Sequence, residues 1–349
     1  MVHASTRQRR ALALLSRIRE LGIIGFGLLL VVAVTMHSPR FLSFDNFSEI
    51  ALDVAILLIV AVGQMMVVIT GGIDLSVGSG LALSGMIVGM TYKHGAAIHP
   101  IIALLMGALI GLILGSVNGV LVSKGKVPPI ITTLGTMSMY RGMTFIVSRG
   151  AWVNAHEMPA SFIGLARGAV LGVPNLILIA ALVFVGFWFF MSHSKPGREI
   201  YAVGGNSEAA RLAGINVDRI KFMVYAVTGL LYGMSAVLWV SRYASAQSDS
   251  ASGFELSTVA AVVIGGVSTF GGTGRITGVL FGALLLGIIE NALNVMQISP
   301  FWKLGIEGLV IILAVVLDEL IARSVQQSIA RVRGAERGDH REISIQALP

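Results

Sequence analysis

Ten stretches of mostly apolar residues constrain the fold of this 349-residue chain more than any other feature. A transmembrane helix needs about 20 such residues, whereas a membrane β-strand needs only about 9–11 residues of alternating polarity. These stretches do not alternate, so the pattern predicts an all-α polytopic membrane protein with about ten transmembrane helices. The stretches are residues 21–36, 50–69, 75–92, 98–123, 130–147, 169–191, 222–241, 256–270, 276–293 and 303–320.

Composition agrees with a lipid environment and excludes several function classes. Hydrophobic residues make up 55% of the chain and charged residues only 12%, about half the charge of an average soluble domain. A disordered chain, a soluble single domain and a soluble nucleic-acid binder are therefore excluded. The chain has no cysteine, so it has no disulfide, thiolate metal site or cysteine nucleophile.

The distribution of basic residues predicts the orientation in the membrane. With ten spans, alternate loops fall on opposite sides, and 18 of the 25 lysines and arginines lie in the loops of one side against five on the other. Cytoplasmic loops carry the excess of positive charge. The chain is thus expected to have a basic cytoplasmic segment (1–20), a transmembrane domain (21–320), a cytoplasmic loop (192–221) and a basic cytoplasmic tail (321–349). Solvation of the basic tails is the alternative, but it does not explain the interior loops.

Glycine-rich breaks separate two pairs of apolar stretches. Residues 71–78 and residues 271–278 both read Gly-Gly followed by five residues and Gly, about 200 positions apart. Their matching positions suggest a duplicated helix-break-helix unit, and broken helices are where transport pathways tend to lie. In a chain with 42 glycines, chance coincidence is the alternative.

A run of four glycines at every fourth position marks one helix face in the fourth stretch. Such a face leaves a groove that lets a neighbouring backbone approach closely, so it predicts a packing seam. Sliding of this helix during transport is the second interpretation. The glycines are Gly107, Gly111, Gly115 and Gly119, and shorter pairs occur at Gly85 with Gly89 and at Gly229 with Gly233.

Polar residues within or beside the stretches are candidates for a pathway or gate. Asp74 precedes a stretch whose first amides it can cap, and contact with substrate or a coupling ion is the alternative. Arg141 lies inside a stretch, where it either lines a pathway or extends to the outer interface. The remaining candidates are Gln64, Gly72, Ser76, Asn118 and Asn291. For the side-chain amides of Gln64, Asn118 and Asn291, hydrogen bonding between helices is the default interpretation. Asp53 and Glu290 lie near outer helix ends, and Lys303 and Glu307 are spaced to pair.

The 192–221 loop has features of an ordered functional segment. At about 30 residues it is the longest interior cytoplasmic connection, and long ordered loops usually carry function. Asn206 can cap a short helix over residues 208–212, which Gly214 closes. Such a helix would give a soluble partner a surface to act on, and a plain solvated connector is the alternative. No phosphate-binding loop and no zinc motif is present in the sequence, so no catalytic or metal-binding residue is predicted.

Together these motifs resemble the membrane-spanning permease subunits of ribose-type sugar ABC importers, within the branched-chain amino acid and ribose permease superfamily. The resemblance covers about residues 45–320. It is carried by GGIDLSVGS (71–79), PIITTLGTM (129–137) followed by Tyr140-Arg141-Gly142, the GGN and EAA elements within 197–214, and AVVIGG (261–266).

The resemblance implies a translocation subunit, and not an enzyme, that works with a cytoplasmic ABC ATPase, a periplasmic sugar-binding protein and a second permease subunit. ATP and Mg would be bound by the ATPase, so no cofactor is expected in this chain, and nucleic acid is not a partner. The residues expected to touch the ATPase are Gly205, Asn206, Glu208, Ala209, Ala210, Arg211 and Gly214.

Two other functions compete with this reading. An ion-coupled secondary transporter of a small polar solute would also use broken helices, but it does not need the long capped loop. A membrane-embedded enzyme is disfavoured because no acid/base or metal cluster stands out. The sequence leaves open which sugar is carried, whether a pentose, hexose, deoxyhexose or furanosyl signalling molecule, and whether the permease pairs with itself or with a sister chain.

Overall fold

A computed structural model describes residues 22–316 apart from positions 23, 300, 310, 314 and 315. The predictions for the basic segments 1–20 and 321–349 lie outside the described residues. The helices are α1 (Ile24–His37), α2 (Phe44–Ile69), α3 (Val77–Lys93), α4 (Pro100–Ser123), α5 (Pro129–Ser148), α6 (Ala160–Arg167), α7 (Asn175–His193), α8 (Lys195–Gly205), α9 (Ser207–Leu212), α10 (Val217–Tyr243), α11 (Phe254–Ile264), α12 (Ile276–Val295) and a last helix over 301–309. Two-residue strands β1 (Ala169–Val170) and β2 (Val173–Pro174) form an antiparallel hairpin.

Among the described residues, five helices are long and apolar enough to cross a membrane, namely α2, α4, α7, α10 and α12. The other predicted spans correspond to helices that are shorter or more polar. Helix α3 has 17 residues and α11 has 11, while the 20 residues of α5 include a buried row of hydroxyl side chains. The polytopic all-α architecture is thus clear, and ten spans stay a prediction.

Two predicted spans each include six residues that are not helical in the structure. Residues 169–174 were expected to begin a helix over 169–191 but form the hairpin, because Leu171 and Gly172 adopt positive φ in a two-residue turn and Pro174 follows. The predicted 256–270 span ends at Ile264, because Gly265 and Gly266 follow and Gly266 has a φ of +86°. The remainder of that stretch is irregular backbone.

The core is built around α2, which is buried along most of its length. Helix α10 packs against it and, on its other side, against α4. The α4–α10 contact is the predicted glycine seam. A Cβ atom added at Gly111 would meet the backbone of Gly229 and Gly233 on α10, and one at Gly115 would meet the backbone of Tyr225 and Gly229. The two helices therefore touch backbone to backbone. The packing role of these glycines is confirmed.

Loop contacts divide the molecule into two ends. At one end, which we call the inner end, the segment after α2 meets α8 and the turn before α12, and Lys126 pairs with Asp218. At the other, the outer end, the chain between α5 and α6 pairs with the loop after α10 through the Val153–Ala246 bridge. The loops that the sequence assigns to opposite sides of the membrane therefore contact loops of their own set in these cases.

Candidate functional site

The 192–221 loop is ordered and contains two helices, of which the sequence predicted one. Asn206 caps α9 as expected, because its Oδ1 accepts a hydrogen bond from the Ala209 N–H at 2.9 Å. The Gly214 N–H bonds the Arg211 carbonyl at 3.0 Å and closes the helix. Helix α8 was not predicted, although Ser194, whose Oγ accepts from the Gly197 N–H at 2.9 Å, and Pro196 in the first turn are its start signals.

Helix α9 offers a solvent-exposed surface of mixed character. Ala210 is buried against the rest of the chain, whereas Glu208, Ala209 and Arg211 are exposed. Leu212 is 90% exposed. A fully exposed leucine beside a carboxylate and a guanidinium is a feature of surfaces that bind a partner, because such an apolar group gains by being covered.

Three glycine pairs from three distant parts of the chain meet at the inner end, and we call this contact the glycine node: Gly71–Gly72, Gly204–Gly205 and Gly271–Gly272. The Gly272 N–H donates to the Ile69 carbonyl at 2.9 Å. A Cβ atom added at Gly204 would overlap the Ile69 carbonyl oxygen and lie 2.6 Å from the Gly272 nitrogen. The end of α8 is therefore in backbone contact with both glycine-rich breaks.

Tyr201 adds a side-chain bond beside the glycine node. Its hydroxyl donates to the Gly274 carbonyl at 3.1 Å, which ties α8 to the second break once more. Sequence reasoning did not single out Tyr201, and Gly204 entered only as part of the GGN element at 204–206. The glycine pair at 204–205 was a usable signal, because it repeats the Gly-Gly element of the two breaks.

Four of the predicted pathway residues form one buried polar network at the first break. Asp74 Oδ1 accepts from the Ser76 N–H at 2.9 Å and from the Ser76 hydroxyl at 2.6 Å, and Asn118 Nδ2 donates to that hydroxyl at 2.8 Å. The Gln64 amide pairs with the backbone N–H and carbonyl of Asp74, each at 3.2 Å. All four residues are fully buried. Asp74 thus fixes the residue directly before α3, and its role as a cap of the α3 amides stays a prediction.

The network retains unfilled hydrogen-bonding capacity. Within the described part of the chain, Asp74 Oδ2 and Asn118 Oδ1 have no hydrogen-bond partner, nor do the buried hydroxyls of Tyr225 and Tyr232 on α10. Gly72 lies against Tyr225, since a Cβ atom there would be 2.5 Å from the tyrosine hydroxyl. Buried polar groups without partners are costly and cluster at functional positions. Neither tyrosine was singled out by the sequence, in which each reads as an ordinary aromatic residue of an apolar stretch.

The other two pathway candidates lie elsewhere. Arg141 Nη1 donates to the carbonyls of Ser248 and Ser250, at 2.8 and 2.9 Å, in the loop that follows α10 at the outer end. Asn291 exchanges two hydrogen bonds of 2.9 Å with Asn46, which lies in the first turn of α2. Neither residue joins the Asp74 network.

The outer end carries a network of charged side chains that the sequence did not reveal. Arg242 Nη2 lies 2.7 Å from Asp53 and 3.1 Å from Glu49, and the Tyr243 hydroxyl donates to Asp53 at 3.1 Å. Lys303 is 2.8 Å from Glu290, and the predicted pairing with Glu307 is looser, at 4.0 Å. These residues are up to 193 positions apart, so only the fold brings them together.

These observations define the class of protein: a polytopic helical membrane protein with broken helices around a buried polar network and an ordered, exposed loop at one end. Comparison with known proteins identifies the family. The chain belongs to the family described as "Branched-chain amino acid transport system / permease component", whose model matches residues 46–315. It is an integral membrane permease.

Three relatives illustrate the resemblance. The ribose import permease protein of Escherichia coli K12 is 40% identical over 293 residues, which cover 83% of this chain and 91% of that protein. A probable ABC transporter permease protein of Sinorhizobium fredii is 40% identical over 303 residues (86% and 89%). The D-allose transport system permease protein of E. coli K12 is 34% identical over 301 residues (85% and 91%). No solved structure matches the chain.

Proposed function

We propose that this chain is the transmembrane subunit of an ATP-driven importer for a sugar or sugar-like solute. It receives the solute from a periplasmic binding protein and is powered by a separate cytoplasmic ATPase, which binds the ATP and Mg. A second permease subunit completes the conduit in the bacterial inner membrane, with both termini and the 192–221 loop in the cytoplasm. The names of the ribose and allose relatives support the sugar class.

The single observation that carries the proposal is the connection from α9 through α8 to the glycine node. Helix α9 presents Glu208, Arg211 and Leu212 to solvent, and α8 ends in backbone contact with both breaks. Backbone contacts between glycines leave little slack, because no flexible side chain lies between them. A push on α9 by an ATPase would therefore reach the first break, where Asp74 organises the start of α3, and the second break before α12.

In this mechanism the glycine breaks act as the movable parts of the pathway. Irregular backbone at membrane depth is stable only where protein or water surrounds it. The segment around Asp74 is surrounded by protein, with Gln64, Ser76 and Asn118 as partners. Shifting this segment would rearrange the hydrogen bonds within the network. The acceptors that have no partner, and the tyrosine hydroxyls beside them, could then bind sugar hydroxyls.

Reconstitution tests the proposal directly. The permease, its ATPase and its binding protein are placed in liposomes, and uptake of radiolabelled D-ribose, D-allose and D-fructose is measured with ATP on the ATPase side. We expect uptake that requires ATP and the binding protein. Uptake driven by an ion gradient without ATP would identify an autonomous secondary transporter and overturn the proposal.

A matched pair of variants tests the role of α9. Leu212→Asp places a charge on the proposed ATPase surface, and Leu171→Asp makes the same change at an equally exposed leucine, 99% accessible, on the outer hairpin. Both side chains are solvated, so both variants should fold. We expect Leu212→Asp to reduce ATPase retention and uptake at least tenfold, and Leu171→Asp to leave both unchanged. Equal behaviour of the two variants would indicate a plain connector.

A further inference from the structure

A cleft of about 330 Å³ opens at the outer end, at the junction of α10 with the loop that follows it. We call it the outer cleft. Its volume suits a small organic ligand, and it lies far along α10 from the glycine node. It is lined by Trp239, Tyr243, Ser245, Gln247, Asp249 and Ser250.

The aromatic side of the outer cleft is rigid. The Tyr243 ring is 45% exposed, its hydroxyl donates to Asp53 at 3.1 Å, and the Arg242 guanidinium lies 5.4 Å from its centroid. Trp239 packs between Tyr243 and Phe254, with ring centroids 4.9 and 5.5 Å away. A fixed aromatic surface is ready to pack against the C–H face of a sugar ring without losing side-chain entropy on binding.

The polar side of the outer cleft is held in place by its own hydrogen bonds. The Gln247 N–H donates to the Ser250 hydroxyl oxygen at 3.1 Å, and its side-chain amide donates to Ser245 at 3.3 Å. From α5, Arg141 clamps the loop by donating to the Ser250 carbonyl at 2.9 Å. Hydroxyl, amide and carboxylate groups therefore face the cleft from a fixed backbone, as in sites that orient a polar ligand.

The charge of the lining selects among sugars. Asp249 is the charged residue of the lining, and no lysine or arginine is among the lining residues. The nearby Arg242 is engaged by Asp53 and Glu49. A carboxylate accepts hydrogen bonds from sugar hydroxyls but repels a phosphate or a sugar acid. The outer cleft thus fits a neutral sugar and not an anionic one.

A second, smaller cavity of about 60 Å³ shares Trp239 and Tyr243 with the outer cleft. It has room for a few waters or a hydroxymethyl group. Glu307 lines it and is 1% exposed; Oε1 accepts from the Ser257 hydroxyl at 2.7 Å, whereas Oε2 has no hydrogen-bond partner among the described residues. A buried acceptor with unfilled capacity behind the aromatic pair is a second observation that points to a hydroxyl-bearing ligand.

We propose that the outer cleft is a binding site for a neutral monosaccharide, in which the ring packs on Tyr243 and Trp239 and its hydroxyls bond to Asp249, Gln247 and the two serines. This inference rests on the proposed function for the sugar class, and it adds that the permease chain itself binds the sugar, without the binding protein. The cleft is an entry site at the outer end, separate from the Asp74 network.

Saturation-transfer-difference NMR on the full-length permease in nanodiscs tests this inference, since the method detects weak binding. The probes are D-ribose, D-allose and D-fructose, with D-ribose 5-phosphate as competitor. Tyr243→Leu removes the aromatic surface, and Asp249→Ala removes an exposed carboxylate. Ser252→Ala, in the same loop but outside the lining, is the matched control. ATP-driven uptake by the complete importer is measured in parallel.

We expect saturable binding of at least one sugar, weakened at least tenfold by Tyr243→Leu and by Asp249→Ala, unchanged by Ser252→Ala, and not displaced by D-ribose 5-phosphate. Absence of saturable binding, equal binding by all variants, or equal displacement by the phosphate would overturn the inference. Uptake by the importer without binding to the permease alone would overturn this inference and leave the proposed function standing. Binding without ATP-driven uptake would overturn the proposed function instead.

Discussion

The glycine node at the inner end and the Arg242 network at the outer end are held together by opposite kinds of contact. At the inner end, the glycine node joins three loops backbone to backbone, with the Gly272 N–H on the Ile69 carbonyl at 2.9 Å. At the outer end, Arg242, Asp53 and Glu49 join helices through long side chains. Backbone contacts transmit displacement with little loss, whereas side-chain ion pairs in water break and re-form cheaply.

This difference matches the tasks that the proposal gives to the two ends. An end that transmits movement from an ATPase needs stiff contacts. An end that exchanges sugar with a soluble protein needs contacts that can rearrange. We expect substitutions at the inner end to have the largest effects on stability and uptake, and substitutions at the outer end to have the smallest.

The largest effect is expected from adding one methyl group at the glycine node. In Gly204→Ala the Cβ atom would overlap the Ile69 carbonyl oxygen, and backbone cannot move aside as a side chain can. Overpacking costs about 1–3 kcal/mol and sometimes more, and we expect the upper end of that range or beyond. The measurement is the thermal unfolding of the purified permease together with uptake by the importer.

The neighbouring glycine provides the control for this prediction. A Cβ atom at Gly205 would have nothing within 4 Å, and alanine is the better helix former. Gly205→Ala should therefore unfold at the wild-type temperature or slightly above. If the two alanine variants were equally stable, the glycine node would not be a tight contact, and the proposed transmission route would lose its basis.

The second largest effect concerns the polar network beside the glycine node. Asp74→Ala leaves the N–H and hydroxyl of Ser76 without their acceptor, and each buried group left unsatisfied costs about 1–3 kcal/mol. Asp74→Asn retains an oxygen in the same place and should restore most of the stability. The unfolding temperatures of the two variants show how much the hydrogen bonds to Ser76 contribute to stability. Uptake by Asp74→Asn shows whether transport needs the negative charge. Equal instability of both variants would show that the carboxylate, and not the cap geometry, holds the break.

A smaller effect is expected from Arg242 at the outer end. Its side chain is only 10% exposed, but Asp53 and Glu49 are more accessible, at 38% and 64%. Arg242→Ala should therefore cost about 1–2 kcal/mol, between the values for exposed and for buried ion pairs. The loss relative to wild type should shrink in high salt, because the wild-type pairs are screened. If the loss of stability in Arg242→Ala did not depend on salt concentration, Arg242 would act by packing.

Features of the fold that depend on neighbouring residues could be predicted from the sequence, whereas contacts between distant residues could not. The helical class of the apolar stretches, the glycine face of α4 and the Asn206 cap depend on residues within a few turns of each other, and they were predicted correctly, whereas the count of ten spans stays a prediction. Gly204 and Tyr201 contact partners about 70 or 130 positions away, and the Arg242 network spans 189 to 193 positions. Apart from the repeated Gly-Gly element at 204–205, the sequence gives no signal for these pairings.

The Asp74 site lies between these cases. Gln64, Asp74, Ser76 and Asn118 were each singled out as polar residues in apolar surroundings, and the structure joins them. Arg141 and Asn291 were selected by the same reasoning and lie at the outer end instead. Polarity in a span marks a residue that needs a partner, but it does not say which partner.

The smallest effect is expected at Glu157, in the chain between α5 and α6. The Asn154 N–H, at 2.8 Å, and the Lys93 ammonium, at 3.0 Å, lower the pKa of Glu157 below its ordinary value. A carboxylate with a lowered pKa stabilises the fold above its ordinary pKa, about 4.3, and that contribution disappears as the pH falls through the lowered value. Glu157→Gln should thus reduce the unfolding temperature at pH 7, but by no more than about 2 °C because the pair is exposed to solvent.

The pH dependence separates this ion pair from a simple packing effect. As the pH falls through the lowered pKa of Glu157, the wild-type carboxyl group becomes protonated, so the difference between wild type and Glu157→Gln should shrink toward zero. Arg149→Gln is the control. It removes a charge at the same outer end from a residue that forms no ion pair within the described part of the chain, and its difference from wild type should not change in the same way with pH. A difference between wild type and Glu157→Gln that stays constant as the pH falls, until the fold itself is lost in acid, would mean that the carboxylate charge contributes nothing. The outer end would then be held at this point by the hydrogen bond from the Lys93 ammonium to the Trp152 carbonyl, at 2.6 Å.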